Sequence, residues 1–317
     1  LELAGSTTTG LLSSATVMKN TGVLNLSALI DNTNDTFDIG TDGPLSGWVD
    51  SFTGVIKNGS VVSNDGTGLS SAGGTFDGVT FGSNISATGD INFVNGLNLV
   101  NGITIIKDGH WKFHGEGDQH ISVDNLGASA TIQSNAGWIY GYISGASVLQ
   151  DLFIDEGITL KGSTKIGGNG FWSFQNLDII NNGIIINDLP GENLTGYSTY
   201  SFTNNGSITL SNGVVDFRAT RFSNNGSFNI SGAGASISPS VSAEWLNTGT
   251  INLNSGSLSI GGLFNASTLS GGHYTRLAGT TVRIEGRGTF DNTSNVLDIG
   301  SNGLFGIGGL NNGGGTI

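Results

Sequence analysis

Apolar and polar residues alternate in short runs along the chain, and each run follows a turn rich in Asn and Gly. The stretch FTNNGSITLSNGVVDF (residues 202–217) is echoed twenty residues later by FSNNGSFNISGAG, which begins at Phe222. The turns lead into Ile-Thr-Leu at 208–210 and Phe-Asn-Ile at 228–230. Because successive side chains of a strand point to opposite faces, each run is predicted to be a short, half-buried strand.

The turn glycines of these runs recur along the second half of the chain. Gly157, Gly183, Gly206, Gly226 and Gly249 are spaced 26, 23, 20 and 23 residues apart. We expect positive φ at these turns, because a glycine has no Cβ to clash there. A repeat of this length with two or three strands predicts a β-solenoid, in which each coil buries its apolar face against the next.

The predicted fold class is therefore all-β, a parallel β-helix or β-solenoid with coils of about 20–26 residues. A sandwich of separate hairpins is the alternative, since it also places short strands at close intervals. Without a linker to mark a boundary, residues 1–317 are predicted to form a single domain. Residues 107–150 break the repeated phrase and are expected to be irregular or inserted. The two ends of the chain suggest a fragment of a longer polypeptide.

The asparagines before the turn glycines allow two interpretations. In stacked coils Asn182, Asn205 and Asn225 would lie above one another, and their side chains could form an internal amide ladder. Alternatively, they are turn formers on the surface, a position that Asn favours.

Charge and composition exclude several classes of partner. The net charge is −13 with only 11 Lys and Arg, whereas nucleic acids and anionic membranes bind basic patches. The chain has no Cys, which excludes disulfides, thiolate metal ligands and a Cys nucleophile. It has no apolar run of the length that spans a bilayer. We therefore expect no nucleic-acid partner and no membrane insertion.

Large aromatic residues concentrate in residues 107–150. If Trp138, Tyr140 and Tyr142 lie on one strand, the segment WIYGY places all three rings on the same face. Flat rings stack on the apolar faces of sugars, so these residues and Trp111 are the predicted carbohydrate or partner-binding site. The alternative is that the rings pack in the core, where aromatic residues are common.

The same segment contains a histidine and carboxylate group that resembles a metal site in composition. His110, His114 and His120 stand near Glu116 and Asp118, and such side chains suit zinc or a similar ion. Their spacing matches no metal-binding motif, and a solvated polar loop explains them equally. We predict no metal and no cofactor.

Catalysis on a polysaccharide needs two carboxylates across a sugar, or a carboxylate-bound cation with a basic proton acceptor. The charged candidates form no specific motif, so no catalytic residue is predicted and the protein is expected not to be an enzyme. The alternative function is a carbohydrate-active β-helix, either a polysaccharide lyase or a tailspike-like glycosidase. The charged candidates for it are Asp216, Arg218, Arg221, Glu244, His273, Arg276, Glu285 and Arg287.

Several phrases resemble the passenger repeats of large bacterial exoproteins, the filamentous-haemagglutinin-like and autotransporter-like adhesins. They include GGTFDGVTF (residues 73–81), NNGSITL, NTGTINLNSGSLSIGG and AGTTVRIEGRGTFDN. The resemblance implies a right-handed parallel β-helix, secretion to the cell surface or extracellular matrix, and a structural or adhesive role. It transfers no catalytic residue.

The expected partner is a surface glycan or protein of a host or of the bacterial community. The open ends of a solenoid present unpaired strand edges. The rod is therefore also expected to self-associate end to end, into a fibre or sheath.

Overall fold

The structure is a computed structural model that describes residues 1–15, 22–47, 49–141, 150–167, 177–190, 192–197, 200–212, 215–232, 235–237, 244–260, 264–265, 273–285, 290–291 and 311–313. It is nearly all β, and its parallel strands stack as a β-solenoid of about 10 turns. This confirms the predicted fold class. A hairpin sandwich is inconsistent with it, because the strand pairs among these residues are parallel. The chain divides into two compact units, residues 1–160 and 161–317.

Unit 1 consists of short strands and one short helix. In chain order its elements are β1 (Glu2–Leu3), β2 (Ser6–Thr8), α1 (Thr9–Ser13), β3 (Asn25–Leu26), β4 (Leu29–Asp31), β5 (Thr36–Asp38), β6 (Ser51–Phe52), β7 (Val55–Lys57), β8 (Ser60–Val62), β9 (Leu69–Asp77), β10 (Thr80–Phe81), β11 (Ile85–Val94), β12 (Leu97–Leu99), β13 (Thr104–Asp108), β14 (Trp111–His114), β15 (Gln119–Val123), β16 (Ala130–Ala136), β17 (Ile139–Gly141) and β18 (Gln150–Ile154). Strand β19 (Ile158–Gly162) crosses the division between the units.

These strands form three parallel columns. Column 1 contains β1, β3, β6, the first parts of β9 and β11, β13 and β16. Column 2 contains β2, β4, β7, the second parts of β9 and β11, β14 and β17. Column 3 runs from β5 through β8, β10, β12 and β15 to β18. The register advances by 17 residues from Phe76 to Phe93 and by 28 from Trp111 to Ile139, so these coils vary more than the predicted repeat.

Unit 2 continues the same element order. Its strands are β20 (Lys165–Gly167), β21 (Leu177–Asn181), β22 (Ile184–Asn187), β23 (Leu194–Tyr197), β24 (Ser201–Asn204), β25 (Ser207–Leu210), β26 (Val215–Arg218), β27 (Arg221–Asn224), β28 (Ser227–Ile230), β29 (Ala235–Ile237), β30 (Glu244–Asn247), β31 (Thr250–Leu253), β32 (Ser257–Ile260), β33 (Phe264–Asn265), β34 (His273–Arg276), β35 (Thr281–Glu285), β36 (Phe290–Asp291) and β37 (Asn311–Gly313).

Unit 2 also has three columns, and its coils are more regular. Column 1 contains β22, β25, β28, β31 and β34. Column 2 contains β20, β23, β26, β29, β32, β35 and β37, and column 3 contains β21, β24, β27 and β30. From Ile208 to Phe228 the register advances by 20 residues, and from Phe228 to Ile251 by 23, as the turn phrases predict.

The turn glycines of unit 2 are required by close packing between coils. A Cβ on Gly226 would lie 2.0 Å from the carbonyl oxygen of Gly206, and one on Gly249 would lie 2.1 Å from that of Gly226. Neither Gly206, Gly226 nor Gly249 has φ in the left-handed region. The expectation of positive φ is therefore wrong at these three positions. It holds at Gly157, where φ is +86°.

Two asparagine ladders run through unit 2. Asn205 donates to the Oδ1 of Asn182, and Asn225 donates to that of Asn205, both at 2.9 Å on the exposed surface. The predicted ladder therefore exists, but on the outside. A second ladder lies fully buried one residue earlier in each coil, and its members are Asn181, Asn204, Asn224 and Asn247, linked at 2.7 Å.

Residues 107–141 continue the regular coils instead of leaving them. Strands β13 to β17 pair in register with their neighbours in all three columns. The pattern is obscured because Lys107 points into the core, fully buried, where it donates hydrogen bonds to the Ser134 hydroxyl and the Ala136 carbonyl oxygen. A β-bulge between Lys107 and Asp108 also shifts the alternation by one residue. Residues 142–149 lie outside the described residues.

Candidate functional site: the surface around Tyr140

The four aromatic residues predicted to bind a glycan do not form one surface. Trp111 is fully buried and packs against Phe93 with ring centroids 5.0 Å apart. A ring in the core cannot stack on a sugar, so the prediction is wrong for Trp111. Tyr142 lies outside the described residues. Trp138 and Tyr140 are the two predicted residues that the structure brings to one place.

The outward faces of columns 1 and 2 position this group. Ile139 pairs with the buried Trp111, so Tyr140 points outward and pairs with Lys112 of β14. Trp138 does not belong to the strand; it directly precedes β17 and is half-buried. Asp90 is added by a β-bulge in β11, where the register shifts between Asp90 and Ile91. We call Asp90, His110, Lys112, Trp138 and Tyr140 the Tyr140 cluster.

Hydrogen bonds fix the polar members of the cluster. The backbone N–H of His110 donates to Asp90 Oδ1 at 3.4 Å, and the backbone N–H of Trp138 donates to His110 Nδ1 at 3.3 Å. In this arrangement Nδ1 of His110 accepts, so the ring carries its proton on Nε2 when neutral. The His110 and Tyr140 rings meet edge to face with centroids 6.2 Å apart.

Burial and charge determine the state of the Tyr140 hydroxyl. The residue is only 8% exposed, and burial raises the pKa of Tyr140 to about 12, helped by the negative charge of Asp90. The Lys112 ammonium lies 5.9 Å from the centre of the Tyr140 ring, a distance at which a cation is attracted by the ring face. The phenol is therefore neutral at physiological pH and acts as a hydrogen-bonding group.

This arrangement is better suited to binding than to proton transfer. A general base works best when its pKa lies near the working pH, and the pKa of Tyr140 is far above it. The Nδ1 lone pair of His110 is occupied by the Trp138 N–H. The cluster contains one carboxylate, Asp90, whereas glycoside hydrolysis uses two. The half-exposed Trp138 indole is the member that offers a surface to a ligand.

The three histidines of the predicted metal group occupy different places. His110 belongs to the Tyr140 cluster, and His114 ends β14, where burial and the nearby Lys112 lower its pKa against the opposing effect of Asp77. His120 lies on column 3, with Nδ1 3.0 Å from a carboxylate oxygen of Asp155. Across the part of the chain that the structure describes, no three His, Asp or Glu side chains come together to hold a metal ion.

A second aromatic surface, on the outward face of column 3 in unit 1, was not predicted. The His120 ring stacks on Phe153 with centroids 4.6 Å apart and planes 5° from parallel. Leu152 and Ile154 on either side of Phe153 are fully buried, so Phe153 points outward and is half-buried. An aromatic residue at the outward position of an alternating strand was the available signal.

The charged candidates for catalysis include one ion pair on the surface. Arg221 Nε lies 2.7 Å from Glu244 Oε2, and both side chains are more than half exposed. Arg276 hydrogen bonds to the Thr280 side chain at 3.1 Å, and His273 is exposed. The side chains of Asp216, Arg218, Glu285 and Arg287 lie outside the described residues.

Comparison with known proteins identifies no relative. No family model, curated protein or solved structure matches the chain significantly. Among the described residues, no helix is long and apolar enough to cross a membrane.

Proposed function

We propose that this chain is a solenoid segment of a secreted bacterial protein of the cell surface or extracellular matrix, and that its role is structural or adhesive. The observation that carries the proposal is the buried ladder of Asn181, Asn204, Asn224 and Asn247. Each of these side chains bonds to the same residue type in a neighbouring coil. A large part of the sequence is thus devoted to matching one coil to the next, as a stiff, repetitive support requires.

The mechanism follows from the packing. Backbone hydrogen bonds join neighbouring coils in each column, and buried rings such as Phe202 and Phe222, whose centroids are 6.0 Å apart, stack along column 3. Buried amides that are satisfied by one another resist separation, because exposing either without its partner leaves a polar group unpaired. We extend the proposal to end-to-end self-association, since a terminal coil would offer the same edge to a second copy.

The alternative function is cleavage of a polysaccharide by a carbohydrate-active β-helix. Two observations favour the structural role over it. Tyr140 has a pKa too high for a base at neutral pH, and the exposed Arg221 and Glu244 are paired with each other. Incubation with acidic and neutral polysaccharides should release neither unsaturated nor reducing ends. Release of either, lost in Glu244→Gln, would make the enzyme the correct assignment.

Location and adhesion test the proposal directly. The complete protein should be epitope-tagged in its source bacterium, followed by cell fractionation, protease shaving of intact cells and a surface-attachment assay of a deletion strain. We expect the tag outside the cell, removal by protease, and reduced attachment after deletion. A tag that stays in the cytoplasm, or a surface protein whose deletion leaves attachment and matrix unchanged, would contradict the proposal.

A further inference from the structure

Unit 2 presents a flat, polar face that the predicted site did not include. In column 1, the residues of β25, β28, β31 and β34 alternate, so that every second side chain points outward, while Ile208, Phe228 and Ile251 point inward and are buried. We call the outward residues the polar face. They form two rows, Ser207, Ser227, Thr250 and His273 in the first, and Thr209, Asn229, Asn252 and Thr275 in the second.

Hydrogen bonds between coils fix the side chains of this face. The Ser227 hydroxyl donates to the Ser207 hydroxyl oxygen at 2.9 Å. In the second row, Asn252 donates to Asn229 Oδ1 at 2.7 Å, and the Thr275 hydroxyl donates to Asn252 Oδ1 at 2.5 Å. An Asn side chain has two N–H groups and two acceptor lone pairs, so each amide keeps hydrogen-bonding capacity after the ladder is formed. The face is a pre-ordered array of hydroxyl and amide groups.

The face carries almost no charge in an otherwise acidic protein. The chain has a net charge of −13, yet His273 is the one titratable residue among the eight of the polar face. The outward side of column 3 in the same unit differs, since Asp178, Arg221 and Glu244 lie on it. A ligand of the polar face therefore needs hydrogen-bonding groups and no charge.

The dimensions of the face favour a narrow ligand. Four strands about 4.8 Å apart and four residues long cover roughly 14 Å by 13 Å, or about 200 Å². A stable protein–protein interface buries about 800 Å² on each partner, so this area is too small to hold a second copy of the chain by itself. A single extended polymer chain fits the width and meets one rung of the array after another.

We propose that the polar face binds a neutral polysaccharide, whose chain lies along the column and exchanges hydrogen bonds with Asn229, Asn252 and the flanking hydroxyls. The inference deepens the proposed function, because it names the class of glycan that an adhesive solenoid would hold. Individual contacts of this kind are weak, and binding accumulates because several rungs act on one chain at once. Pre-ordered side chains also reduce the entropy lost on binding.

The test is affinity electrophoresis of the 317-residue chain in native gels containing hydroxyethylcellulose, galactomannan or polygalacturonate. The test variant combines Asn229→Ala and Asn252→Ala. The matched control combines Asn205→Ala and Asn225→Ala, which removes the same two amides from a ladder outside the polar face. We expect retardation by at least one neutral polysaccharide, weakened fivefold or more in the test variant and unchanged in the control. Circular dichroism and thermal unfolding check that both variants keep the fold.

Four results would overturn the inference: no retardation of the unmodified chain, retardation by polygalacturonate alone, equal losses in the two variants, or a doubled mass in light scattering that the test variant abolishes. The last result would make the face a contact between copies. The proposed function is judged separately, by location and attachment. A surface protein that needs other residues for attachment would leave that proposal standing while this one fails.

Discussion

The side-chain amide of Asn204 donates a hydrogen bond to Oδ1 of Asn224 at 2.7 Å, and both residues are fully buried in successive coils. Their neighbours Asn205 and Asn225 make the equivalent bond at 2.9 Å on the surface. The same pair of residue types thus occurs twice, once inside and once outside. This arrangement allows the value of a buried amide ladder to be measured against an internal reference.

Replacing Asn204 by Ala should destabilise the chain far more than replacing Asn205 by Ala. The first change leaves an amide donor of Asn181 and the Oδ1 of Asn224 without their buried partner, and an unsatisfied buried polar group costs about 1–3 kcal/mol. The second change exposes its partners to water, and we expect a cost below about 0.5 kcal/mol. Urea unfolding of both variants measures the difference. Equal losses would mean that the buried ladder contributes nothing special.

Gly226→Ala should prevent close stacking of the coils. Its Cβ would lie 2.0 Å from the Gly206 carbonyl oxygen, a contact that only a movement of the backbone can relieve. Gly102→Ala is the control, because a Cβ there meets nothing within 4 Å although φ is +81°. We expect roughly 1 kcal/mol for the control and a larger loss at Gly226. Thermal unfolding decides between steric packing and backbone conformation as the reason for the glycine.

Trp111→Ala should behave as a core truncation. The ring is fully buried, so we expect a loss of about 3–5 kcal/mol. Trp111→Phe should cost less, because it keeps an aromatic ring and removes an indole N–H that has no acceptor among the described residues. Trp138→Ala, at a half-buried ring, should cost less than Trp111→Ala. Denaturant unfolding would contradict the assignment if Trp111→Ala were nearly neutral.

Tyr140 should make stability fall at alkaline pH. Its pKa is raised from 10.0 to about 12 in the folded chain, so between these values the unfolded chain loses this proton and the folded chain keeps it. The folded state then binds more protons, and its stability decreases as pH rises from about 10 towards 12. Tyr140→Phe should flatten that part of the profile.

Absorbance titration of tyrosinate offers an independent check. Tyr274 also has its pKa raised to about 12, mainly by burial, so two of the five tyrosines should ionise late. Tyr140→Phe should remove one of them. If the late fraction is unchanged in that variant, the phenol is not held in the environment described here.

The coil length and strand alternation of unit 2 were predictable from the sequence, because the Asn-Asn-Gly phrase recurs wherever the backbones of neighbouring coils approach most closely. The reason for the glycine was not predictable, since positive φ and a close carbonyl oxygen select the same residue. Asn204 and Asn205 stand side by side in the sequence. Only their positions relative to the strand end decide which one points inward.

The candidate site was predicted less well, for physical reasons that particular residues illustrate. Aromatic rings suit both a core and a glycan surface, and the WIYGY alternation did not reveal that Trp138 precedes the strand. Trp111 lies opposite Ile139 in the core, a pairing across 28 residues that no local pattern indicates. Lys107 defeated the pattern in another way, because a buried lysine at an inward position imitates the polar face of a strand.

The most direct test of the stacked, parallel coils is an engineered disulfide across them. The chain has no Cys, so Ser207→Cys and Ser227→Cys can be introduced together without a background thiol. These residues are register partners in adjacent coils, about 4.8 Å apart at Cα, within the range that a disulfide spans. The control combines Ser207→Cys with Thr250→Cys, two coils away at roughly 10 Å. Mass spectrometry after mild oxidation should show an intramolecular disulfide between residues 207 and 227 and none between 207 and 250; the reverse result, or no disulfide in either variant, would contradict the stacked register.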